Sequence, residues 1–405
     1  MKILVLAGGA DQIALIQDLK SRGHKVVLVD YFDNPPAKNY ADKHIVASTL
    51  DVERVREIAQ EEDVSLICTA CTDQALLTVA NVSECLELPC YIDYQTALNV
   101  TNKSYMKKVL MANMIPTSRF EIVDNLATVN LDAFHFPLVV KPVDCNSSKG
   151  VKKVETREEF YTYAAEAIRF SRTQTAIVEE FKEGSEVSAD FYIENGTAKL
   201  LSATTSKKIR NRKSFTILSS DYPAVSKDQE KELTVIAGNI AKAFHLNNTP
   251  LLVQLIANDK EMNVIEFSAR MGGGSKYKLI QVLSGENIMK KYVDLILGGK
   301  PSFNPQKQVE FCKMVYLYCY PGTLKRVEGL DILKTEGVID EYFLYKTEGV
   351  KIDKAETSGD RPAGYLVTAS TEKELTEKIN YVDSQIRVVS EDDVDIMMHN
   401  LITQT

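Results

Sequence analysis

Gln254, Glu266, Ser268 and Arg270 lie in two strand-like runs, PLLVQLIA and MNVIEFSAR, and place polar groups where a purely structural strand would carry none. Glu266, Ser268 and Arg270 recur at every second position, so period-two geometry aims all three at one side of a strand. An amide, a carboxylate and a guanidinium facing one space are a layout for a divalent metal beside a phosphate. Each group also has a plainer reading. Gln254 could be a buried amide satisfied by backbone, and Arg270 could be half of a structural ion pair.

Strands and helices must hold these groups in place, and the chain is long enough to build them. Its 405 residues are 44% hydrophobic and 26% charged, which suits two or three domains around sizeable cores. A net charge of −8 argues against a broad phosphate-backbone surface, so no nucleic acid is expected as a partner. The start, MKILVLAGG, has the look of a buried strand rather than a signal peptide. No apolar run reaches the roughly 18 residues of a membrane span, so no membrane is expected and a cytoplasmic location is. Seven scattered cysteines read as free thiols, and the lone CxxC at Cys68 and Cys71 reads as core packing before zinc or redox chemistry.

Residues 2–6, 26–30 and 65–69 read as short buried strands separated by amphipathic stretches at 11–22 and 51–62, which predicts a doubly wound, parallel α/β unit over residues 1–87. Asp30 ends the second strand where a dinucleotide-binding fold would hold a ribose, but only Gly8 and Gly9 stand in for GxGxxG. From Leu88 a helical run leads to Pro116, and the strand FPLVVKP ends on Lys141 and Pro142. DCNSSKG then reads as either a phosphate-covering loop or an ordinary hairpin turn. A helix at 156–170, the strand TAIVEEF and a strand pair turning at Asn195-Gly196 predict an antiparallel sheet with a helical side. A helix at 227–244 precedes the two polar strands. Beyond Pro301, residues 310–320, 339–345, 364–369 and a helix at 371–384 suggest a small α+β cap over 301–405.

The order of these parts resembles the ATP-grasp superfamily. Asn102-Lys103 opens a helix, VVKP ends a strand, a small-residue loop follows, then VEEFKEGSE, and finally a VQ strand beside a VIEFSAR strand. The resemblance is strong over roughly 1–300 and looser beyond, and the SARMGGG ending is most similar to carboxylate-amine ligases, which also resemble carbamoyl-phosphate synthetase large subunits and amino-acid ligases. It implies an N-terminal Rossmann-like domain, then an ATP-grasp domain over 88–300 with a lid subdomain at about 115–185, completed by the cap. Lys103 and Lys141 would contact nucleotide phosphates as point charges. Ser147, Ser148 and Gly150 would lie in the loop that closes over the triphosphate. Glu179, Glu180, Phe181 and Lys182 would form the adenine hinge through backbone groups, and Glu186 would accept hydrogen bonds from the ribose. The cofactors implied are ATP and Mg2+ (or Mn2+), with Glu266 and Gln254 as metal ligands. Ser268 departs from the family pattern, which usually places Asn there as a further ligand. Arg270 would stabilise charge on the transferring γ-phosphoryl group.

The same resemblance implies an ADP-forming carbon–nitrogen ligase. A carboxylate attacks the γ-phosphate to give an acyl phosphate, and an amine then displaces phosphate to form an amide. The partners expected are a small-molecule acid and amine, with a homodimer common among relatives. The acid should lie beside Gly272, Gly273 and Gly274, where absent side chains let backbone amides approach an anion. Lys276 and Lys278 flank that turn, but helix-surface lysines are common and that plainer reading is preferred for both. The basic stretch beginning at Lys207 reads as a solvated loop or as a lid over an anionic substrate, and Arg361, before Pro362, could reach the site from the cap. One alternative is a phosphoribosylglycinamide synthetase-like ligase, although MGGGSKYK lacks that family's R-F-G-D-P-E-like run. Another is a nucleotide-binding regulatory protein without turnover.

Overall fold

A computed structural model describes residues 1–145, 150–209 and 216–402. Ser147 and Ser148, and the basic residues at 210–213, lie outside that description.

The N-terminal strands β1 (Lys2–Leu6), β2 (Lys25–Asp30), β3 (Lys43–Val46) and β4 (Leu66–Cys68) form a parallel sheet in the order β3-β2-β1-β4. Near-continuous apolar strands suit a sheet covered on both faces. Leu4, Leu6, Val27 and Val29 face α2 (Val52–Glu61) and α3 (Asp73–Cys85), while Ile3, Val5, Val26 and Leu28 pack with α1 (Ala10–Ser21). The Asp30 carboxylate accepts hydrogen bonds from the Gly8 and Phe32 amides and braces the turn after β1.

Two helices lead out of this unit, α4 (Tyr94–Thr101) and α5 (Lys103–Ala112). The Asn102 side chain caps α5 by accepting from the Tyr105 amide, which places Lys103 at the first helical position. Strands β5 (Phe120–Val123), β6 (Leu138–Pro142), β7 (Lys152–Val154) and β8 (Ala176–Glu180) pair antiparallel in the order β5-β8-β6-β7. Their apolar face closes on Phe160 and Ala164 of α6 (Arg157–Phe170).

The largest sheet is antiparallel. It contains β9 (Ser185–Glu194), β10 (Thr197–Lys208), β11 (Ile217–Tyr222), β12 (Thr249–Ala257) and β13 (Met262–Ser268). Asn195 and Gly196, both at positive φ, make the hairpin turn between β9 and β10. Helix α7 (Lys227–Ala243) begins with a Ser226–Gln229 capping box and buries Leu233, Ile236 and Ile240 against Leu251, Val253 and Leu255 of β12. That packing decides the site: Leu252, Gln254 and Ile256 must face the other way. Phe267 and Ala269 enter the same core, which turns Glu266, Ser268 and Arg270 outward with them.

After α8 (Lys276–Ser284) and α9 (Ile288–Ile296) the strands divide between two sheets. Strands β14 (Phe311–Tyr316), β16 (Glu341–Leu344) and β18 (Ala363–Ala369) extend the central one, giving the order β13-β12-β9-β10-β11-β14-β18-β16. Only β15 (Gly322–Glu328), β17 (Lys351–Ile352) and β19 (Arg387–Ser390) form a sheet of their own, beside α10 (Leu330–Thr335) and α11 (Glu372–Gln385). The residues after 301 are thereby bonded into the framework that carries the polar strands.

Candidate active site

Gln254 stands directly across from Glu266 in the β12–β13 ladder and from Ser188 in the β12–β9 ladder, so one row crosses three strands. Gln254 and Glu266 each line two cavities that meet at this row. One, of about 430 Å3, is bounded by Lys103, Lys141, Lys207 and Lys208, by the 179–186 segment, and by Val139, Val151, Ile256 and Ile265. The other, of about 570 Å3, is bounded by the Gly8–Asp11 turn, Arg270, the Gly272–Gly274 turn, Lys276, Tyr316, Tyr345 and Arg361.

In the lysine-lined cavity Lys103 Nζ lies 3.0 Å from Glu266 Oε2 and donates to the Cys145 carbonyl at 2.8 Å. Burial works against ionisation of Glu266, yet Lys103 and Lys141 hold its carboxyl below the usual range. Lys141, at the end of β6, places Nζ 2.6 Å from Glu179 Oε1. Glu179, in the wall of the same cavity, is the buried counter-ion of Lys141. Of the hinge amides, Glu180 donates to the Arg119 carbonyl and Phe181 to the Pro137 carbonyl, so neither is left to read a base. Lys182 and Glu186 line the cavity, with Glu186 paired to Lys208 and Lys182 to Glu261 at 3.2 Å. Lys207, expected beside the acid, is in this cavity too. Gly150 holds φ at +72°, where an L side chain is strained.

Two expectations change in the second cavity. Arg270 does not present an open fork: Nε lies 2.7 Å from Asp73 Oδ1, Nη2 lies 2.5 Å from Asp73 Oδ2, and Nη1 donates to the Met271 carbonyl at 2.8 Å. Arg270 is thus ion-paired to Asp73, and its guanidinium stands in the wall of the second cavity. Ser268 lies beside Asp73, whose carboxyl it helps hold below the usual range, and borders a third cavity with Lys103 and Glu266. The glycine turn does receive carboxylates, but they are the protein's own. Gly272 donates to Asp190 at 3.0 Å, while Gly274 and Ser275 donate to Asp11 at 3.1 Å and 2.7 Å. A Cβ at Gly272 would lie 2.7 Å from Lys276 Cδ and 2.9 Å from Asp190 Oδ1, which explains why glycine stands there.

Lys276 is no surface lysine. It is buried beside Ser188, with Asp190 Oδ2 at 3.7 Å, and burial pulls its ammonium below the usual range against the pull of Asp190. Lys278 stays at the surface, 4.0 Å from Glu341. Arg361 does reach the cavity. Only 5% exposed, its guanidinium carbon sits 3.6 Å above the Tyr316 ring, Nε donates to Tyr318 Oη at 2.9 Å, and Nη2 donates to the Ile217 carbonyl at 3.2 Å. Among the described residues no carboxylate lies within ion-pair distance of it, unlike Arg270, Lys103 and Lys276. Cys71 lines this cavity and burial pushes its thiol well up, so it stays protonated; Cys68 is buried core.

The residues missed from the sequence are Asp73, Asp11, Asp190, Tyr316 and Lys107. The Lys103/Lys107 spacing of four places both lysines on one face of α5 and was the one available signal.

Residues 134–278 match the ATP-grasp domain family. The phosphoribosylamine–glycine ligase of Thermococcus kodakarensis is 24% identical over 84% of this chain and 83% of its own. Among solved structures, the L-amino acid ligase of Bacillus licheniformis superposes with a TM-score of 0.79 at 19% identity, covering 96% of this chain and 98% of that one. The phosphoribosylglycinamide synthetase of Anaerococcus prevotii gives 0.75 at 20% identity over 96% and 99%. Nearly the whole chain therefore has the fold of these enzymes, and at its centre it carries an ATP-grasp domain.

Proposed function

We propose that the chain is an ATP-dependent, ADP-forming carbon–nitrogen ligase that activates a small carboxylic acid as an acyl phosphate and joins it to an amine. The observation that carries this is the shared wall: Gln254 and Glu266 line both the lysine-bearing cavity and the glycine- and tyrosine-lined one. Reaction between a nucleotide in the first and an acid in the second must occur at that row.

The lysine-lined cavity fits a nucleoside triphosphate. Val139, Val151, Ile256 and Ile265 offer an apolar slot for a base, and Lys103, Lys141, Lys207 and Lys208 supply cations for phosphates. The Gln254 amide oxygen and the Glu266 carboxylate are hard donors that fit Mg2+ or Mn2+, with water and phosphate oxygens completing the shell. When bound, such an ion neutralises charge on the phosphates. Ser268 brings only a hydroxyl, a weaker third ligand than a carboxylate or amide oxygen. The chain's own residues do positioning, with Lys141 fixing phosphate charge. Arg361, a buried cation with no carboxylate beside it, is suited to hold an anionic group of the acid or amine.

Phosphoribosylamine and glycine are a second reading, favoured by relatives such as the Thermococcus kodakarensis ligase. The test is ADP release with Mg-ATP across pairs of amino acids, beside phosphoribosylamine plus glycine. Release that requires both an acid and an amine is expected, and the productive pair chooses between the readings. Tight ATP binding with no release from any pair would overturn both and leave a nucleotide-binding protein without turnover.

A further inference from the structure

Lys107 is among the most deeply buried ionisable groups of the molecule, 1% exposed, yet it does not line the lysine-bearing cavity. From α5 its Nζ reaches Thr117 Oγ1 at 2.6 Å, the Val264 carbonyl of β13 at 3.3 Å, and Glu179 Oε2 at 2.8 Å. The other oxygen of Glu179 takes Lys141 at 2.6 Å. One carboxylate is therefore shared by two ammonium groups. Glu179 Oε2 accepts no well-aligned hydrogen bond, so its tie to Lys107 is mainly charge on charge. Burial pulls the Lys107 ammonium below its ordinary range, and opposes ionisation of Glu179. The two lysines nevertheless hold that carboxyl at about 2.

A lysine meant for phosphate faces a conflict in a buried wall. Without a carboxylate it would be an unpaired charge inside protein; with one to itself, its charge would be spent before any ligand arrived. Sharing resolves the conflict, because the carboxylate orients Lys141 while half of its charge goes to Lys107. The three groups carry a net single positive charge, and only Lys141 of the two lysines faces the cavity.

We propose that Lys107 is a positioning residue for phosphate binding: by holding one oxygen of Glu179 it fixes the Lys141 ammonium in place and keeps that ammonium under-compensated, ready for the nucleotide polyphosphate. This rests on the reading that Lys141 contacts nucleotide phosphate, and it acts entirely through Glu179.

The test is ADP affinity by calorimetry, with melting curves, for the full chain and for Lys107→Met, Glu179→Gln and the double variant. In Lys107→Met the carboxylate belongs to Lys141 alone, and ADP binding should weaken about tenfold. In the double variant Lys141 is no longer neutralised, so most of that loss should return although two native contacts are gone. A role confined to tying α5 to β13 gives no such rescue. Should Lys107→Met not fold, Lys107→Gln, whose amide can still donate to Thr117 and Val264, takes its place. Unchanged affinity in the single variant, or a loss in the double at least as large, overturns the inference while the nucleotide reading stands. Absence of ADP binding by the unaltered chain overturns the nucleotide reading itself, and the inference with it.

Discussion

Replacing Asp73 by Asn tests whether the Arg270 guanidinium is held for function or only for packing. Asp73 opens α3 and grips Arg270 through two contacts of 2.7 Å and 2.5 Å, with both side chains largely buried. Burial raises the cost of ionising Asp73, but Arg270 first and the Ser268 hydroxyl after it hold its carboxyl below the usual range. Asn retains the oxygen that accepts from Nε and turns an N–H toward Nη2, so one charge-assisted bond is lost and the guanidinium is left without a counter-charge. A charge-assisted hydrogen bond contributes about 1.5–3 kcal/mol, and removing one partner of a buried pair costs about 3–5 kcal/mol, so a loss of about 3 kcal/mol is expected. At about 2 °C per kcal/mol for a chain longer than a small domain, the melting temperature should fall by about 6 °C. Release of an oriented cation from the reaction wall should also lower kcat, by up to about 100-fold. Neither Asp73 nor Arg270 lines the lysine-bearing cavity, so KM for Mg-ATP should stay within about threefold. The assay is coupled ADP release beside thermal melting. A kcat within threefold of the unaltered chain, together with the melting shift, would show that the pair only packs the wall and would refute its part in the reaction.

Three other perturbations follow from the geometry. Gly184 has φ of +149° and its Cβ would lie 2.4 Å from the Ala257 carbonyl oxygen, so Gly184→Ala should cost about 1–3 kcal/mol in melting experiments and weaken ADP binding at the adjoining 179–186 segment; an unshifted melt would refute it. Arg361→Lys keeps the charge but loses the planar stack on Tyr316 and the fork, so KM for the anionic substrate should rise about tenfold while KM for Mg-ATP stays constant; a rise in the ATP term alone would contradict the placement. Burial works against protonation of His399, but Asp395 and Asp383 raise its pKa above that of the unfolded chain. Its contribution to stability is therefore complete below about pH 6.5 and is lost as pH rises through the raised folded value. The melting difference between the protein and His399→Gln should be larger at about pH 6 than at about pH 8.5, and equal differences would refute the assignment.

What could be read from the residues was whatever obeys a local period. Gln254, Glu266 and Arg270 were legible because their apolar neighbours, Val253, Phe267 and Ala269, are obliged to face α7, and two-residue alternation does the rest. The N-terminal strands announced a covered parallel sheet through unbroken apolar runs, and Asn195-Gly196 announced its turn through the two positive φ values that it adopts. The strand pairings beyond 301 were not legible. Cys312, Met314 and Leu366 alternate as any sheet would, and nothing in alternation says whether β14 and β18 pair among themselves or continue the edge of β11.

The charges of the site were the least legible part, and the reason is physical. A buried ion needs its partner in space and not in sequence: Arg270 finds Asp73 at a separation of 197 residues, and the Gly272 and Gly274 amides find Asp190 and Asp11 at separations of 82 and 263 residues. The substrate acid was expected beside these glycines, and the carboxylates that their amides meet in the structure are Asp190 and Asp11 of the wall itself. The Gly272, Gly274 and Ser275 amides are therefore already engaged before any substrate arrives. Arg361 is the contrasting case. Lys103, Lys141, Arg270 and Lys276 each meet a carboxylate, whereas Arg361 meets only a ring, a hydroxyl and a carbonyl. In a wall so thoroughly neutralised, the one uncompensated guanidinium is where an incoming anion gains most. That asymmetry, more than any motif, separates the groups that shape the cavity from the group that would read its contents.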